Sequence, residues 1–397
     1  MPDALRIALF THSVNPRGGV VHTLELAQAL HAQGHAVTVF APVAPGQQLF
    51  RHIDCAFEPI GVPAAAPGLA GMVSARINAC VGHLAPRLAG RAFDVLHAQD
   101  SISANALATL DERGAIDGFV RTVHHLDSFD DSRLTAWQLR GFQCAREVLC
   151  VSDLWCERLS DDYGVSARRV HNGVDLARYT PQAGAADAAC ATRHGIGRAA
   201  ARGPVFLAVG GIEARKNTCR VLDAFAMLKG DLLDAQLVIA GGASLLEHDA
   251  YAQAFRDGLR ASGLVCAAGG DVVITGNVPD ADMPALFRLA DVLVMASTRE
   301  GFGLVVLEAL ASGTPVVVSR CAPFTEYLGE HDAGWADPLD ALSIAGAMHA
   351  ACDPSRADAL RGGVPDVCRR HSWQASAQRH IDIYRAGATA SPCRKEH

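Results

Sequence analysis

The chain has 397 residues, half of them hydrophobic and 19% charged, which suits two domains of moderate size better than one. Its formal net charge of −7 argues against a nucleic-acid binder, which carries a basic surplus, while a small anionic ligand needs only a local cluster of cations. An aromatic share of 6% leaves the cores to Ala, Val and Leu, as in helices packed on parallel sheets. The 12 cysteines include no C-x-x-C pair, so a structural zinc knuckle is unsupported. The start, MPDALRIALF, lacks the basic and long apolar regions of a signal peptide, and no apolar run approaches about 18 residues. The expectation is a cytoplasmic chain with free thiols, a peripheral membrane contact being left open.

In chain order, Arg6 to Phe10 reads as a strand, THSVNPRGG as a loop, and HTLELAQALHAQG as a helix closed by Gly34. AVTVFAP, Ala92 to His97, Phe119 to Val123 and Glu147 to Ser152 read as further strands. The stretch from about 180 to 203 is rich in Ala, Gly and Arg, with a weak helical segment at most. The pattern then restarts: PVFLAVGG is a strand, EARKNT a loop and CRVLDAFAMLK a helix. AQLVIAGG, DVVITGN, ADVLVMAS and TPVVVS follow as strands, and SWQASAQRHIDIYRA as a last helix, with 388–397 frayed. Strand-helix alternation that opens twice predicts two α/β domains with doubly wound parallel sheets, facing across a cleft at their strand C-terminal edges. The expected division is 1–180, 181–370, and 371–397 as a helix crossing back to the first domain.

Residues 296 to 319, ASTREGFGLVVLEALASGTPVVVS, form the strongest constellation. A strand ends in a polar loop holding Glu300, and a helix begins after Gly303. The free N–H groups at that helix start suit an anion such as a diphosphate. Glu300 and Glu308 suit vicinal hydroxyls, and Glu308 stands among Val306, Leu307, Ala309 and Leu310, where a carboxylate needs a partner. The plainer reading of Glu308 is a charge on a helix surface. In VGGIEARKN, residues 209 to 217, Arg215 and Lys216 lie where a diphosphate would approach the sheet edge, and two cations with helix N–H groups can neutralise a departing nucleotide without a metal. Solvated loop charges are the alternative. Gly18 and Gly19, in NPRGGVVHTLELAQAL, precede a helix and allow close backbone approach and positive φ; the loop is not G-x-G-x-x-G, which argues against a dinucleotide dehydrogenase. His124, in RTVHHLDSF, ends a strand with His125 as its neighbour; a hydrogen-bonded structural histidine is the alternative, and a zinc site with His97 and His125 has no recognisable ligand spacing. Asp280-Ala-Asp282 spells a D-x-D metal motif, but its place before DMPALFRLA reads as a helix N-cap.

The run E-G-F-G-L-x-x-L-E-A-x-A-x-G-x-P-V-V resembles the donor signature of retaining GT-B glycosyltransferases of the GT4 family. The resemblance extends from Arg6 to about Tyr384. It implies that Glu300 holds the transferred sugar, Glu308 the donor ribose, and the backbone at Phe302, Gly303 and Leu304 the sugar and phosphates. VGGIEARKN is similar to the family's V-G-R-x-x-x-x-K-G, with Lys216 on the lysine and Gly211 on the arginine; either Arg215 substitutes from nearby or the pocket is organised differently. Gly18 and Gly19 match a loop against donor phosphates and acceptor, and His124 a T-x-H that contacts the sugar. Gly276 and Val278, in TGNVPDADMPALF, match the loop over the base. DVLHAQD resembles D-V-x-H-x-H with Gln99 for the second histidine, HNGVDLARY resembles the P-N-G-V-D hinge, and PFTEYL matches x-P-E loosely.

The implied reaction moves a hexosyl group from a UDP-, GDP- or ADP-linked sugar, with retention, to an acceptor that is a small molecule, glycan or lipid. It implies no metal and no cofactor beyond the nucleotide sugar as co-substrate. Rival readings are a GT-B epimerase or phosphorylase and a non-catalytic nucleotide-sugar-binding protein, which Gly211 favours. The segment Pro63 to Gly90 is expected to shape the acceptor side, its stripe of Met72, Ile77, Val81, Leu84 and Leu88 facing the core. Oligomeric state is not legible.

Overall fold

The computed structural model of the protein describes residues 4–63, 68–88, 92–197, 203–242 and 249–389. The chain forms two compact units, Met1–Gly173 with Ser372–His397, and Val174–His371. The first unit thus ends seven residues before the expected position 180, inside the HNGVDLARY segment, between Gly173 and Val174.

The first unit holds β1 (Arg6–Phe10), β2 (Ala36–Val43), β3 (Ala56–Gly61), β4 (Val95–Ala98), β5 (Val120–Val123), β6 (Glu147–Cys150) and β7 (Arg168–Arg169). Their order is β3-β2-β1-β4-β5-β6-β7, and every pairing is parallel. The central strands are apolar on both faces because helices cover both; Ile7, Ala8, Leu9 and Phe10 are all buried. The helix Gly68–Leu88 turns Ile77, Val81, Leu84 and Leu88 into a core with Phe10, Phe40 and Leu107, so the expected stripe faces inward, without Met72 among its buried positions. Residues 64–67 and 89–90 of the expected acceptor segment lie outside the described residues. The helix Trp373–Thr389 packs on the helix Gly18–Ala32 in this unit; of the tail expected to fray, 390–397 lie outside the described residues.

The second unit holds β8 (Val205–Val209), β9 (Gln236–Ala240), β10 (Val272–Gly276), β11 (Val292–Met295), β12 (Val316–Ser319) and β13 (Gly334–Ala336). Their order is β10-β9-β8-β11-β12-β13, again parallel. In both sheets the winding reverses beside the first strand, between β1 and β4 and between β8 and β11. Loops leaving such a pair diverge to opposite faces and open a crevice at the strand C-termini. Every candidate glycine, cation and carboxylate of the second unit ends or follows β8, β10 or β11. The strands β3, β7 and β13 were not anticipated, being short or polar at the sheet edges. No helix among the described residues is long and apolar enough to cross a membrane.

Candidate active site

In the second unit, the loops after β8 and β11 meet at the switch point. Thr298 donates its backbone N–H to the Arg215 carbonyl at 2.9 Å, tying one loop to the other. Lys216 Nζ lies 2.6 Å and an Arg215 guanidinium N–H donor 2.9 Å from the same oxygen, Glu300 Oε1. Arg215 Nε is also 3.0 Å from Glu213 Oε2, so two cations and two carboxylates interlock. Burial lowers the Lys216 pKa, and the Glu300 carboxylate opposes that shift. Glu300 and Glu308 are each 8% exposed, so neither is an ordinary surface charge. Such pairing fixes cation positions in advance, which is what stabilising a developing charge requires.

Backbone geometry builds this edge. Gly210 has φ +126°, and a Cβ there would stand 2.6 Å from Lys216 Cε, where the lysine stem lies. Gly211 has φ +76°, and its Cβ would meet the Gly242 carbonyl oxygen at 2.7 Å, so an arginine at this position does not fit the backbone. Arg215 reaches the same carboxylate as Lys216 from four residues on. Asn217 follows Lys216 in the left-handed region, φ 62°, where the resembling pattern has glycine, and its amide donates to the carbonyls of Ala296 and Pro338 at 2.9 and 2.6 Å. Gly303 has φ +91° and caps the helix Leu304–Ala311; a Cβ there would stand 2.8 Å from the Phe324 ring. Phe302 stacks on Tyr327, centroids 4.6 Å apart, and the Tyr327 hydroxyl donates to the Phe302 carbonyl.

Gly276 ends β10 and Val278 follows it, two strands from β8. They are joined to the edge through backbone only: Gly241 N–H donates to Gly276 O at 2.9 Å, and Gly211 N–H to Ala240 O at 3.1 Å. Asp282 holds the expected N-cap position before the helix Met283–Leu289, but without a capping side-chain hydrogen bond. Asp280–Asp282 forms a short 3-10 turn, and neither carboxylate caps the helix Met283–Leu289. Asp280 pairs with Arg178 at 2.8 Å, and Asp282 pairs with Arg193 and with His194 at 2.9 Å. Flanking cations claim these side chains before the helix N–H groups can. Cys190, His194 and Asp282 bring ligand atoms within 4.8 Å of one another, the one such metal-capable group among the described residues.

In the first unit, Gly18 and Gly19 are the first residues of the helix Gly18–Ala32 rather than a loop before it, and neither has positive φ. A Cβ on Gly19 would make ordinary contact, 3.5 Å, with the His124 ring. The pair therefore brings helix backbone beside His124 without steric necessity for glycine. His22, one turn into that helix, sets its ring edge-on to His124, centroids 4.6 Å apart. Its Nδ1 lies 2.7 Å from Asn172 Oδ1, while its Nε2 is buried without a hydrogen-bond partner. His97 is buried between the Tyr384 hydroxyl, 2.7 Å from Nδ1, and the Thr122 hydroxyl, 2.8 Å from Nε2. Burial holds the pKa of His124 and His97 well below the usual imidazole value, and places His22 at about 3 and His380 at about 4. These rings are neutral at pH 7. His125, the adjacent candidate, is exposed and lies 3.5 Å from Asp127. Glu213, His22 and Tyr384 escaped the sequence reading. Glu213 alone carried a signal, an acidic residue two positions from a candidate cation.

The fold and this sheet edge define a two-domain GT-B glycosyltransferase. Solved structures of that architecture match nearly the whole chain. Sucrose-phosphate synthase from Thermosynechococcus elongatus has a TM-score of 0.76 at 20% identity, covering 98% of this chain and 100% of that one. Anabaena HepE in complex with UDP-glucose has a TM-score of 0.74 at 15% identity, covering 96% and 100%. The family model described as glycosyl transferases group 1 matches residues 194–351, and that of glycosyltransferase family 4 matches residues 16–178. The chain belongs to this GT4-type family, and it is a glycosyltransferase. Phosphatidyl-myo-inositol mannosyltransferase of Mycobacterium leprae is 28% identical over 391 residues, 96% of each chain. Mannosylfructose-phosphate synthase of Agrobacterium fabrum is 30% identical over 200 residues, 49% of this chain and 42% of that one.

Proposed function

We propose that the protein transfers a hexosyl group from a nucleotide-diphosphate sugar to an acceptor, with retention of configuration and without a bound metal. The observation that carries this reading is the convergence of Lys216 and Arg215 on Glu300 at the switch point of the second sheet. Lys216 and Arg215 neutralise the departing diphosphate, aided by N–H groups at the start of the helix Leu304–Ala311. Glu300 orients these cations and accepts from the sugar hydroxyls, and Glu308 accepts from the ribose. Phe302, Gly303 and Leu304 present backbone to sugar and phosphates, Gly276 and Val278 flank the base, and His124 contacts the transferred sugar. Gly18 and Gly19 present helix backbone to the phosphates. The departing phosphate takes the acceptor's proton on the face from which it leaves.

Two observations support the metal-free reading. The carboxylates of Asp280 and Asp282 are engaged by Arg178, Arg193 and His194, and Arg215 and Lys216 supply two cations at the edge where this reading seats the diphosphate. Support for the donor class comes from the relatives: the HepE structure holds UDP-glucose, and the mycobacterial relative is a mannosyltransferase. The acceptor is drawn from small molecules, glycans and lipids, and the enzyme works in the cytoplasm, with a peripheral membrane contact left open.

The test is donor turnover by the purified chain. UDP-, GDP- and ADP-hexoses are supplied in EDTA with a panel of small-molecule, glycan and lipid acceptors, released nucleoside diphosphate is followed, and the anomeric configuration of the glycoside product is read by NMR. Consumption of one donor in EDTA with retained configuration is expected. An absolute need for a divalent ion, or an inverted product, would overturn the reading.

A further inference from the structure

Gln99 stands where the resembling D-V-x-H-x-H segment has its second histidine, and the donor site gives its buried amide no role. Its side chain is 2% exposed at the C-terminal end of β4. The backbone explains the placement: Gln99 N–H donates to the Phe10 carbonyl at 2.9 Å, continuing the β1–β4 ladder one residue past the strand. The side chain is thereby set between two imidazoles. Its amide nitrogen lies 3.2 Å from His97 Nε2 and 3.4 Å from His97 Nδ1, against that ring. Its amide oxygen lies 3.1 Å from His124 Nε2. His97 is held in turn by the hydroxyls of Tyr384 and Thr122.

An amide oxygen only accepts hydrogen bonds, so its imidazole partner must donate. A neutral imidazole carries one N–H, and the partner of one nitrogen decides the state of the other. We infer that Gln99 is a positioning residue that fixes His124 as the Nε2–H tautomer and leaves His124 Nδ1 as a bare acceptor for a hydroxyl of the transferred sugar. This rests on the proposed contact between His124 and the sugar. The neighbouring His22 is fixed the opposite way: Asn172 Oδ1 accepts from its Nδ1, which leaves its Nε2 bare. Two edge-on rings with opposite tautomers set the polarity of this corner without charging either. On the other side of the amide, the Gln99 nitrogen faces the His97 ring, whose two nitrogens are each engaged by a hydroxyl.

The test is long-range proton–nitrogen NMR of the full-length protein labelled with 15N histidine, His124 being assigned by its loss in His124→Asn, together with donor turnover across pH. The wild-type spectrum is expected to show His124 protonated at Nε2 and bare at Nδ1. In Gln99→Leu both tautomers are expected, with kcat down roughly tenfold, the equivalent of one hydrogen bond at about 1.4 kcal/mol. In Gln99→Glu the carboxylate still accepts, so the tautomer is retained. Its charge raises the His124 pKa, so activity is lost at higher pH than in the wild type as the pH falls. That shift reports on His124, while the tautomer is the readout that a merely structural role of Gln99 would not move. A wild-type His124 protonated at Nδ1, or an unchanged tautomer in Gln99→Leu, would overturn the inference, and the wild-type spectrum decides even where a variant fails to fold. If the tautomer shifts in Gln99→Leu while turnover holds, Gln99 does set the tautomer and it is the contact between His124 and the sugar that fails.

Discussion

Lowering the pH from about 7 to about 5 separates the protonation of the folded and unfolded chain most sharply in the first unit. His22 and His380 have folded pKa values of about 3 and about 4, while free imidazole sits at 6.5. A lowered pKa means that the unfolded chain binds protons the folded one refuses, so stability is full above the unfolded value and falls as the pH drops below it. At about pH 5 the unfolded imidazole lies about 1.5 units above the pH, which costs about 2 kcal/mol per histidine and about 4 kcal/mol for the two. His97 and His124, also held well below the usual value, add to this. Lowered carboxylates, such as Asp131 at about 2, titrate below this window. The assay is urea unfolding followed by tryptophan fluorescence, which reports chiefly on the first unit through Trp137, Trp155 and Trp373. His380→Leu removes one buried site and should reduce the loss between these pH values by about 2 kcal/mol. A wild-type stability that is flat across the interval, or a variant with an unchanged slope, would refute the burial argument.

Three substitutions extend the account to the second unit. Gly211→Arg restores the residue of the resembling pattern, yet should lower stability by about 2 kcal/mol or more in urea unfolding, because φ +76° and the Gly242 carbonyl exclude a side chain. A neutral effect would show that the loop can move aside. With Glu308 in its proposed contact to the ribose, Glu308→Gln keeps size but weakens that acceptance, so KM for the donor should rise about tenfold with kcat nearly unchanged in steady-state kinetics. Gly303→Ala should cost about 1–2 kcal/mol in urea unfolding followed by far-UV circular dichroism, because φ +91° is left-handed and the added methyl meets Phe324.

Much of the fold was legible because hydrophobic runs and glycine-bearing turns record strand–loop–helix order directly. VFLAV and VLVM read as buried parallel strands because β8 and β11 are covered on both faces. The short edge strands β7 and β13 carry no such run, and pairing with a distant neighbour decides them. In the site, Glu300 and Lys216 were legible from their positions after two strands, although that β8 and β11 are neighbours appears only with the topology. The arginine question needed coordinates: only φ and the Gly242 carbonyl show that position 211 cannot hold one. The D-x-D segment shows the same limit: the N-cap position was legible, the partner of the side chain was not. A cap depends on which group reaches the carboxylate first, and Arg178 and Arg193 come from segments some 90 to 100 residues earlier.

Calorimetric titration of a nucleoside diphosphate in EDTA, into the wild type and Lys216→Ala, goes straight to the grip on the donor's leaving group. Tight wild-type binding, weakened at least about tenfold by the alanine and largely restored by Lys216→Arg, is the expected result. Equal affinity in wild type and Lys216→Ala, or binding that appears only once a divalent ion is added, would contradict it.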